Sequence, residues 1–359
     1  MAEGESSSKV KKKSTLDGNP KVDSFRNRDG LLLKTYAWLV QNPIGILILV
    51  HGMNSHIQFE YLKPNVEVVS NKEAKLIDGE NFYLYQGSWI EQFNKNNFSV
   101  YGLDLQGHGQ SEAWRGLRSN IKRYDDLVYD VLQFINRVHD MLSLSNKKDN
   151  SATLHENINS PNIPPIYIMG FSMGGNIVLR ILEILGKSKD NSKVKISGCI
   201  SLAGMVSIEH LKQKKSYKYF YIPMSKLASN LIPNARITPS LEFEKYPFVN
   251  DVMAFDKLKC DKPITCRFGY ELLRAVDTLH EDMEHIDENI PLLFIHSKED
   301  SACHYEGVVE FCNKLKNSKK ELFTVENMDH MLTMEPGNEA ILQKIIEWLT
   351  QISKELGSS

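Results

Sequence analysis

The hexapeptide Gly170-Phe171-Ser172-Met173-Gly174-Gly175 decides the fold of this chain. It follows an apolar run at residues 165–169 and opens a second one at residues 176–185. The first run has the length of a buried strand, and the second has the pattern of a buried helix. A serine between glycines at a tight strand-to-helix turn is a nucleophile elbow. The Gly-x-Ser-x-Gly pattern is weak by itself, so its strand and helix context makes it specific.

The glycines of this turn have a steric purpose. A turn this tight places Ser172 in an unfavourable backbone conformation, and side chains at positions 170 and 174 would collide with neighbouring backbone. In return, the Ser172 hydroxyl lies exposed at a helix N-terminus, where amide donors and the helix dipole favour a developing negative charge. The competing interpretation is a tight turn that carries an idle serine, and the rest of the sequence decides between the two.

Short apolar runs recur outward from the turn in both directions. They end abruptly, as strands buried on both faces of a parallel sheet do. Helix-like stretches, such as residues 124–142, separate them. This alternation predicts an α/β fold with a mostly parallel, doubly wound sheet. Besides residues 165–169, the predicted core strands are residues 45–50, 98–103, 196–202, 291–296 and 321–325.

Several segments interrupt this alternation. Residues 206–279 carry aromatic and helix-like pieces without clean strands, which indicates a helical cap inserted before the last two core strands. Such a cap covers the carboxyl ends of the strands, where ligands usually bind. The predicted organisation is a disordered polar and basic tail at residues 1–24, a first core part at 25–205 with an insert at about 61–90 and a surface loop at 146–164, the cap at 206–279, and a second core part at 280–356.

Composition narrows the class of protein. Of 359 residues, 42% are hydrophobic and 25% are charged, and the formal net charge of -2 argues against a nucleic-acid partner. The five cysteines include no Cys-x-x-Cys pair, so neither a disulfide framework nor a zinc site is indicated. The first residues lack the apolar core of a signal peptide, and no apolar run near the start is long enough to span a bilayer. We therefore expect a cytoplasmic protein whose membrane contact, if any, is peripheral and made through the cap.

The serine needs a general base, and position along the chain selects it. Of the 11 histidines, His330 follows the last predicted strand and precedes a final helix at residues 339–356. His296 lies inside a strand run, which favours a packing role. His304 follows the candidate acid too closely to reach Ser172. The remaining candidates lie in earlier loops, at His51, His56 and His108.

The orienting acid is expected after the penultimate strand, where Asp300 stands in the run His296-Ser297-Lys298-Glu299-Asp300. Glu299 is its competitor, and an aspartate here could instead serve a turn by binding local backbone. Serine, aspartate and histidine in this chain order are typical of α/β-hydrolases and differ from the orders in chymotrypsin and subtilisin. Three elements in the right order, each after its own strand, are far more specific than any one motif.

Two backbone amides are expected to hold an oxyanion. One belongs to Met173, directly after the nucleophile, and the other to Met53, in the loop after the first core strand. A dense cluster at residues 104–111, Asp-Leu-Gln-Gly-His-Gly-Gln-Ser, has neither the lysine of a phosphate-binding loop nor a second set of metal ligands. It is predicted to be a structural turn near the site, and no metal or cofactor is required.

These motifs together resemble a known family. They are similar to those of monoglyceride lipases and lysophospholipases, the serine aminopeptidase S33-like group of α/β-hydrolases, over about residues 25–349. The insert at 61–90 and the Asn- and Lys-rich loops look like those of the lysophospholipase-like proteins of malaria parasites, prodrug-activating esterases among them. The segments that carry the resemblance are HGM at 51–53, GLDLQGHGQSE at 102–112, GFSMGG at 170–175, DKL at 256–258, DKP at 261–263, Asp300, and the pair Asp329-His330.

The resemblance implies an α/β-hydrolase fold and hydrolysis of one carboxylic ester in a monoacylglycerol, a lysophospholipid or a similar small substrate. Carried over by motif, Ser172, Asp300 and His330 form the triad, and the amides of Met53 and Met173 form the oxyanion hole. The insert and a cap rich in Lys and Tyr depart from the family pattern and leave the substrate open. The alternatives are a short-chain carboxylesterase able to activate ester compounds, an aminopeptidase or amidase, a membrane-surface phospholipase, and a binding module, which would need a broken triad. No obligatory protein partner is indicated.

Overall fold

The computed structural model describes residues 17–150, 163–188, 194–207, 222–236 and 242–358. Within these residues lie an eight-stranded central sheet and two small sheets of two strands each. The strands are β1 (Lys21–Arg26), β2 (Leu32–Trp38), β3 (Gly45–Val50), β4 (Lys63–Pro64), β5 (Val66–Ser70), β6 (Glu73–Leu76), β7 (Tyr83–Leu84), β8 (Phe98–Leu103), β9 (Ile166–Phe171), β10 (Ile196–Leu202), β11 (Leu292–Ser297) and β12 (Lys320–Val325).

The central sheet has the strand order β1-β2-β8-β3-β9-β10-β11-β12. Strand β2 pairs antiparallel with both β1 and β8, and all other neighbours in this sheet are parallel. The predicted fold class, a mostly parallel doubly wound sheet with a helical cap before the last two core strands, is confirmed. The described α-helices are α1 (Ile57–Tyr61), α2 (Trp89–Lys95), α3 (Tyr124–Asn150), α4 (Met173–Lys187), α5 (Ile222–Leu231), α6 (Phe248–Phe255), α7 (Cys266–Asp282), α8 (Tyr305–Lys314) and α9 (Asn338–Gly357).

The strands next to the elbow are buried on both faces. Every residue of β3, β8 and β9 is buried. Because side chains alternate along a strand, Ile46 and Ile48 pack with α3 and α4, whereas Leu47 and Leu49 pack with α2 and α9 on the other face. An unbroken apolar run is therefore the sequence that these strands require, and this is the pattern that predicts them.

The structure corrects two predicted boundaries. The disordered tail is predicted to reach residue 24, but strand β1 begins at Lys21 because it pairs with β2 and buries Phe25 against Phe134. The helix predicted at 124–142 continues as α3 to Asn150, so the surface loop predicted from residue 146 begins too early. Adding polar residues to a formed helix requires no new nucleation, which explains the longer helix. Residues 1–16 and 151–162 lie outside the described residues.

The helical cap leaves the sheet between β10 and β11. Its described helices are α5, α6 and α7. Helix α7 also belongs to the body of the protein, because its buried Phe268 and Leu279 join the core cluster that includes α3 and α4. The predicted end of the cap at residue 279 falls inside this helix, which continues to Asp282.

The insert after β3 packs on the cap. The hairpin of β5 and β6 lies against α6, and the Ala74 amide donates to Asp251 Oδ2 at 2.9 Å. Deeper in the molecule, His56 Nε2 lies 3.0 Å from Asp256 Oδ2, and the Tyr83 hydroxyl donates to the other oxygen of the same carboxylate. Burial alone would raise the pKa of Asp256, but His56 and Tyr83 outweigh burial and lower it. The insert, the cap and the loop after β3 are thus joined through one carboxylate.

Helix α5 presents apolar side chains to solvent. Met224, Leu227 and Leu231 are 42%, 49% and 71% exposed, and their spacing places them on one side of the helix. Among the described helices, none is long and apolar enough to cross a membrane. Peripheral membrane contact through this part of the cap stays a prediction, and these three side chains support it.

Candidate active site

The turn between β9 and α4 has the geometry of a nucleophile elbow. Ser172 has φ 54° and ψ −116°, a strained conformation for a residue with a side chain. A Cβ atom at position 170 would lie 2.0 Å from the carbonyl oxygen of Gly174, and one at position 174 would lie 2.5 Å from that of Val50. Both glycines are therefore required on steric grounds.

Ser172, His330 and Asp300 form a continuous hydrogen-bonded chain. His330 Nε2 lies 3.0 Å from Ser172 Oγ, and His330 Nδ1 lies 2.8 Å from Asp300 Oδ2. His330 and Asp300 are buried, and the rings of Phe171 and Phe243 pack beside the imidazole. The structure thus brings together the three residues that the sequence singles out, in the geometry of a serine-histidine-aspartate triad.

Burial and charge act in opposite directions on the His330–Asp300 pair. Burial alone would lower the pKa of His330, but the Asp300 carboxylate outweighs it, and the pKa ends above its ordinary value. Burial would likewise raise the pKa of Asp300, but the charge and hydrogen bond of His330 outweigh it, and this pKa ends below its ordinary value. The pair therefore favours an ionised Asp300 beside a His330 that binds a proton more readily than a free imidazole does.

The predicted competitors of the triad residues lie elsewhere. Glu299 is exposed and pairs with Lys245, and among the described residues the carboxylate that contacts His330 Nδ1 is that of Asp300. His296 is buried, lies 3.3 Å from Asp300 Oδ2, and holds the carbonyl of Cys303 at 2.5 Å through the same Nε2. This histidine therefore supports the loop of Asp300, in agreement with the packing role predicted for it.

The loop after β3 lies against the elbow. A Cβ atom at position 52 would lie 3.3 Å from the Cβ atom of Ser172, so Gly52 lets the backbone approach the nucleophile closely. Met53 and Met173 both line the cavity that contains Ser172, and neither amide donates a hydrogen bond to another described residue. Their role as the oxyanion hole stays a prediction, and this placement supports it.

The loop at residues 104–111 holds the segment that leads into helix α1. Asp104 is buried and accepts hydrogen bonds from the amides of Ile57 and Gln110 and from the Tyr36 hydroxyl. A Cβ atom at position 109 would lie 2.3 Å from the Asp104 carboxylate, so the glycine there leaves room for these bonds. The contacts agree with a structural turn, which fixes the start of α1.

A cavity of about 650 Å³ opens over Ser172. Its walls are mostly apolar, as in sites that bind lipids and other apolar ligands. Two charged side chains that the sequence does not point to, Glu60 and Lys259, also line it. Neither belongs to a motif, and only the fold brings them to the cavity. The apolar lining includes Met53, Phe59, Met205, Phe243, Met253, Ile264, Leu272 and Met331.

Glu60 is almost completely buried in this wall. It is 2% exposed, and the Thr333 hydroxyl donates to its Oε1 at 3.2 Å. Burial raises the pKa of Glu60 to about 7, against the opposing effects of nearby hydroxyls and of His330. Ionisation of this carboxyl in the folded protein therefore costs more than in the unfolded chain.

Glu60→Gln is expected to stabilise the fold at about pH 8. Because the folded pKa lies above the unfolded value, Glu60 contributes stability at low pH that is lost as the pH rises through about 7. At about pH 8 the variant should have a free energy of unfolding about 1–3 kcal/mol higher than the wild type. Below about pH 4.5 the difference should vanish, because the carboxyl is then neutral in both states. Urea unfolding at the two pH values measures this, and a less stable variant at the higher pH would contradict it.

Comparison with known proteins agrees with the fold. The model of the serine aminopeptidase S33 family matches residues 79–337. A search of curated proteins finds no match. Among solved structures, the monoacylglycerol lipase of Paleococcus ferrophilus has 19% sequence identity and a TM-score of 0.62, covering 89% of this chain and 99% of that one. A soluble variant of the Saccharomyces cerevisiae monoglyceride lipase has 16% identity, a TM-score of 0.65 and coverage of 93% and 95%. A thermostable carboxyl esterase from Bacillus coagulans has 17% identity, a TM-score of 0.65 and coverage of 93% and 99%.

The fold and the site together define an α/β-hydrolase with a serine at its elbow. Because the family match extends over more than half of the chain, the protein belongs to the serine aminopeptidase S33 family of hydrolases. The sequence identities to the solved structures are low, so those likenesses show the fold alone.

Proposed function

We propose that this protein is a serine hydrolase that cleaves a carboxylic ester through an acyl-enzyme on Ser172. The hydrogen-bonded chain from Asp300 through His330 to Ser172 carries the proposal. It provides a general base for the nucleophile and an anion behind the base, and it lies at the wall of a mostly apolar cavity. A serine in this arrangement is suited to acyl transfer.

The proposed reaction has two acyl-transfer steps. Ser172 Oγ attacks the ester carbonyl while His330 Nε2 takes the hydroxyl proton. The amides of Met53 and Met173 hold the oxyanion, and Asp300 stabilises the imidazolium. His330 then protonates the leaving alcohol, which departs and leaves the acyl group on Ser172. Water gives its proton to His330 and attacks the acyl group, which releases the carboxylic acid and restores the serine.

The cavity favours a single-chain lipid ester as the substrate. Its apolar walls suit one acyl chain, and two of the structural neighbours are monoglyceride lipases.

Lys259 adds a cation to the cavity. Its amine makes no ion pair with a described residue, and burial lowers its pKa against the attraction of Asp256 and Asp261. Neither aspartate forms an ion pair with the amine, so an anion supplied by a ligand would stabilise this partly desolvated ammonium further. The cavity therefore favours a lysophospholipid, whose phosphate can meet Lys259, over a neutral monoacylglycerol.

Fatty-acid release from paired substrates tests this preference. We expect faster hydrolysis of a lysophosphatidylcholine than of a monoacylglycerol with the same acyl chain. Lys259→Met should slow hydrolysis of the first by about 10-fold and of the second by less than about 3-fold, since a charge-assisted hydrogen bond contributes about 1.5–3 kcal/mol. Lys262→Met removes an exposed lysine from the same cavity wall and is the matched control.

Other results of this assay, and tests with short-chain esters and aminoacyl amides, would favour the alternative functions. An equal loss on both substrates would contradict the role of Lys259, and a preference for the monoacylglycerol would make the protein a monoacylglycerol lipase. Cleavage of short-chain activated esters alone would favour the general carboxylesterase that can activate ester compounds. Release of amines from aminoacyl amides would favour the aminopeptidase or amidase. Ser172→Ala is the blank throughout.

The narrower likeness to the malaria-parasite proteins also stays a prediction.

A further inference from the structure

A buried carboxylate that the reaction scheme does not use holds the loop of His330. Glu335 is 0% exposed. Its Oε2 accepts the amide of Asp329 at 2.5 Å, and its Oε1 accepts the amide of Met331 at 2.8 Å. These two residues stand immediately before and after His330 in the chain. A single side chain therefore fixes the backbone on both sides of the imidazole.

The same contacts join this loop to the loop of Asp300. Asp329 is buried, and its Oδ1 accepts the amide of Ser301 at 2.8 Å. Glu335 thus fixes Asp329, and Asp329 in turn fixes the residue that follows Asp300. The 2.8 Å contact between His330 and Asp300 lies between two loops that this pair of carboxylates connects.

The geometry at Glu335 requires an acceptor at both ends of the side chain. A glutamine would fill the same space, but one of its ends is a donor, so it can accept only one of the two amides. Burial raises the pKa of Glu335 to about 7, against the opposing effect of the two amide bonds. Within the described part of the chain, the charged groups that face this carboxyl are Asp329 and His330. Burying the ionised form of this carboxyl costs free energy, which argues against a role in stability alone.

We propose that Glu335 is a positioning residue of the catalytic site, whose two accepted hydrogen bonds set His330 at its distances from Ser172 and Asp300. The inference rests on the proposed function, because it takes His330 as the general base. A misplacement of about 1 Å at a reacting group costs about 100-fold in rate. A carboxylate with a merely structural role would change stability and leave the reactivity of the folded protein unchanged.

Glu335→Gln tests the proposal through the rate at which a fluorophosphonate labels Ser172. This probe needs the serine and its base but no particular acyl chain or head group. We expect the second-order rate constant of the folded variant to fall by at least about 10-fold at pH 8. The acid limb of its pH profile should move to lower pH, because a His330 displaced from Asp300 loses part of the contact that raises its pKa. The proton NMR signal of His330 Nδ1–H should shift in the same variant.

Asp130→Asn is the matched control for loss of a buried carboxylate. Burial also raises the pKa of Asp130 to about 7, and its oxygens accept the side-chain amides of Asn27 and Gln106. It lies on α3 outside the cavity, so this variant should label at the wild-type rate even where its stability falls.

The outcomes separate this inference from the proposed function. A folded Glu335→Gln variant that labels at the wild-type rate with an unmoved acid limb overturns the inference. A wild-type protein that is not labelled overturns the proposed function itself. If Glu335→Gln does not fold, Glu335→Asp takes its place, since its carboxylate is too short to reach both amides. Wild-type labelling of that variant would again overturn the positioning role.

Discussion

Ser172→Ala is expected to lower ester hydrolysis by about 10⁴- to 10⁶-fold while the protein stays folded. The Ser172 hydroxyl is the group that His330 Nε2 meets at 3.0 Å, so alanine leaves the base without a nucleophile. The backbone at this position is unaffected, because its amide still donates to the carbonyl of Leu202 at 2.9 Å. Alanine tolerates the φ of 54° no worse than serine does, so the free energy of unfolding should change by less than about 1 kcal/mol.

Fatty-acid release and thermal unfolding, measured on the same preparations, check both halves of this prediction. Ser55→Ala is the matched control, because Ser55 is a buried serine in the wall of the same cavity. It should keep the rate within about 3-fold of the wild type, since its hydroxyl makes no hydrogen bond to His330. Retained turnover in a clean preparation of Ser172→Ala would remove Ser172 as the nucleophile.

The core strands could be predicted from the sequence because the apolar run of each strand by itself indicates that the strand is buried. Strands β3, β8 and β10 coincide with the apolar runs at 45–50, 98–103 and 196–202. Strand β1 could not be predicted at its true start, because its residues are largely exposed and become a strand only through pairing with β2. The mostly exposed hairpin of β5 and β6 likewise depends on its packing against α6 in the cap.

The residues of the triad were predictable because each follows its own strand, and the carboxyl ends of parallel strands meet at one edge of the sheet. Glu60, Lys259 and Glu335 carry no such signal. Local sequence does not distinguish the buried carboxylate of Glu335 from the exposed one of Glu299. The two differ in their tertiary surroundings. The fold buries Glu335 and places two backbone amides against its carboxylate, and these surroundings set its pKa.

Asp300→Asn should reduce the rate of hydrolysis by about 10³- to 10⁴-fold with the fold intact. Asparagine has the same shape. Its oxygen can still accept hydrogen bonds from the amides of Ala302 and Cys303, which donate to Asp300 Oδ1 at 2.9 and 2.6 Å in the wild type. Its amino group then faces His330 Nδ1, where two donors cannot meet. The imidazole is driven into the tautomer with its proton on Nε2 and cannot accept the proton of Ser172. The pKa of His330 also falls, because Asp300 no longer raises it, so the acid limb of the residual activity should move to lower pH.

Glu299→Gln separates the two neighbouring carboxylates. Glu299 is exposed, pairs with Lys245 and accepts the Asn327 amide at 3.0 Å, so glutamine there should keep the rate within about 3-fold. A lower rate of hydrolysis in Glu299→Gln but not in Asp300→Asn would identify Glu299 as the acid that orients His330. The contact between Asp300 and His330 would then have a structural role only. Equal losses in both, together with lower thermal stability, would mean that the loop as a whole supports the histidine. A loss confined to Asp300→Asn ties the orientation of His330 to one buried carboxylate, at the edge of the sheet where β11 and β12 end.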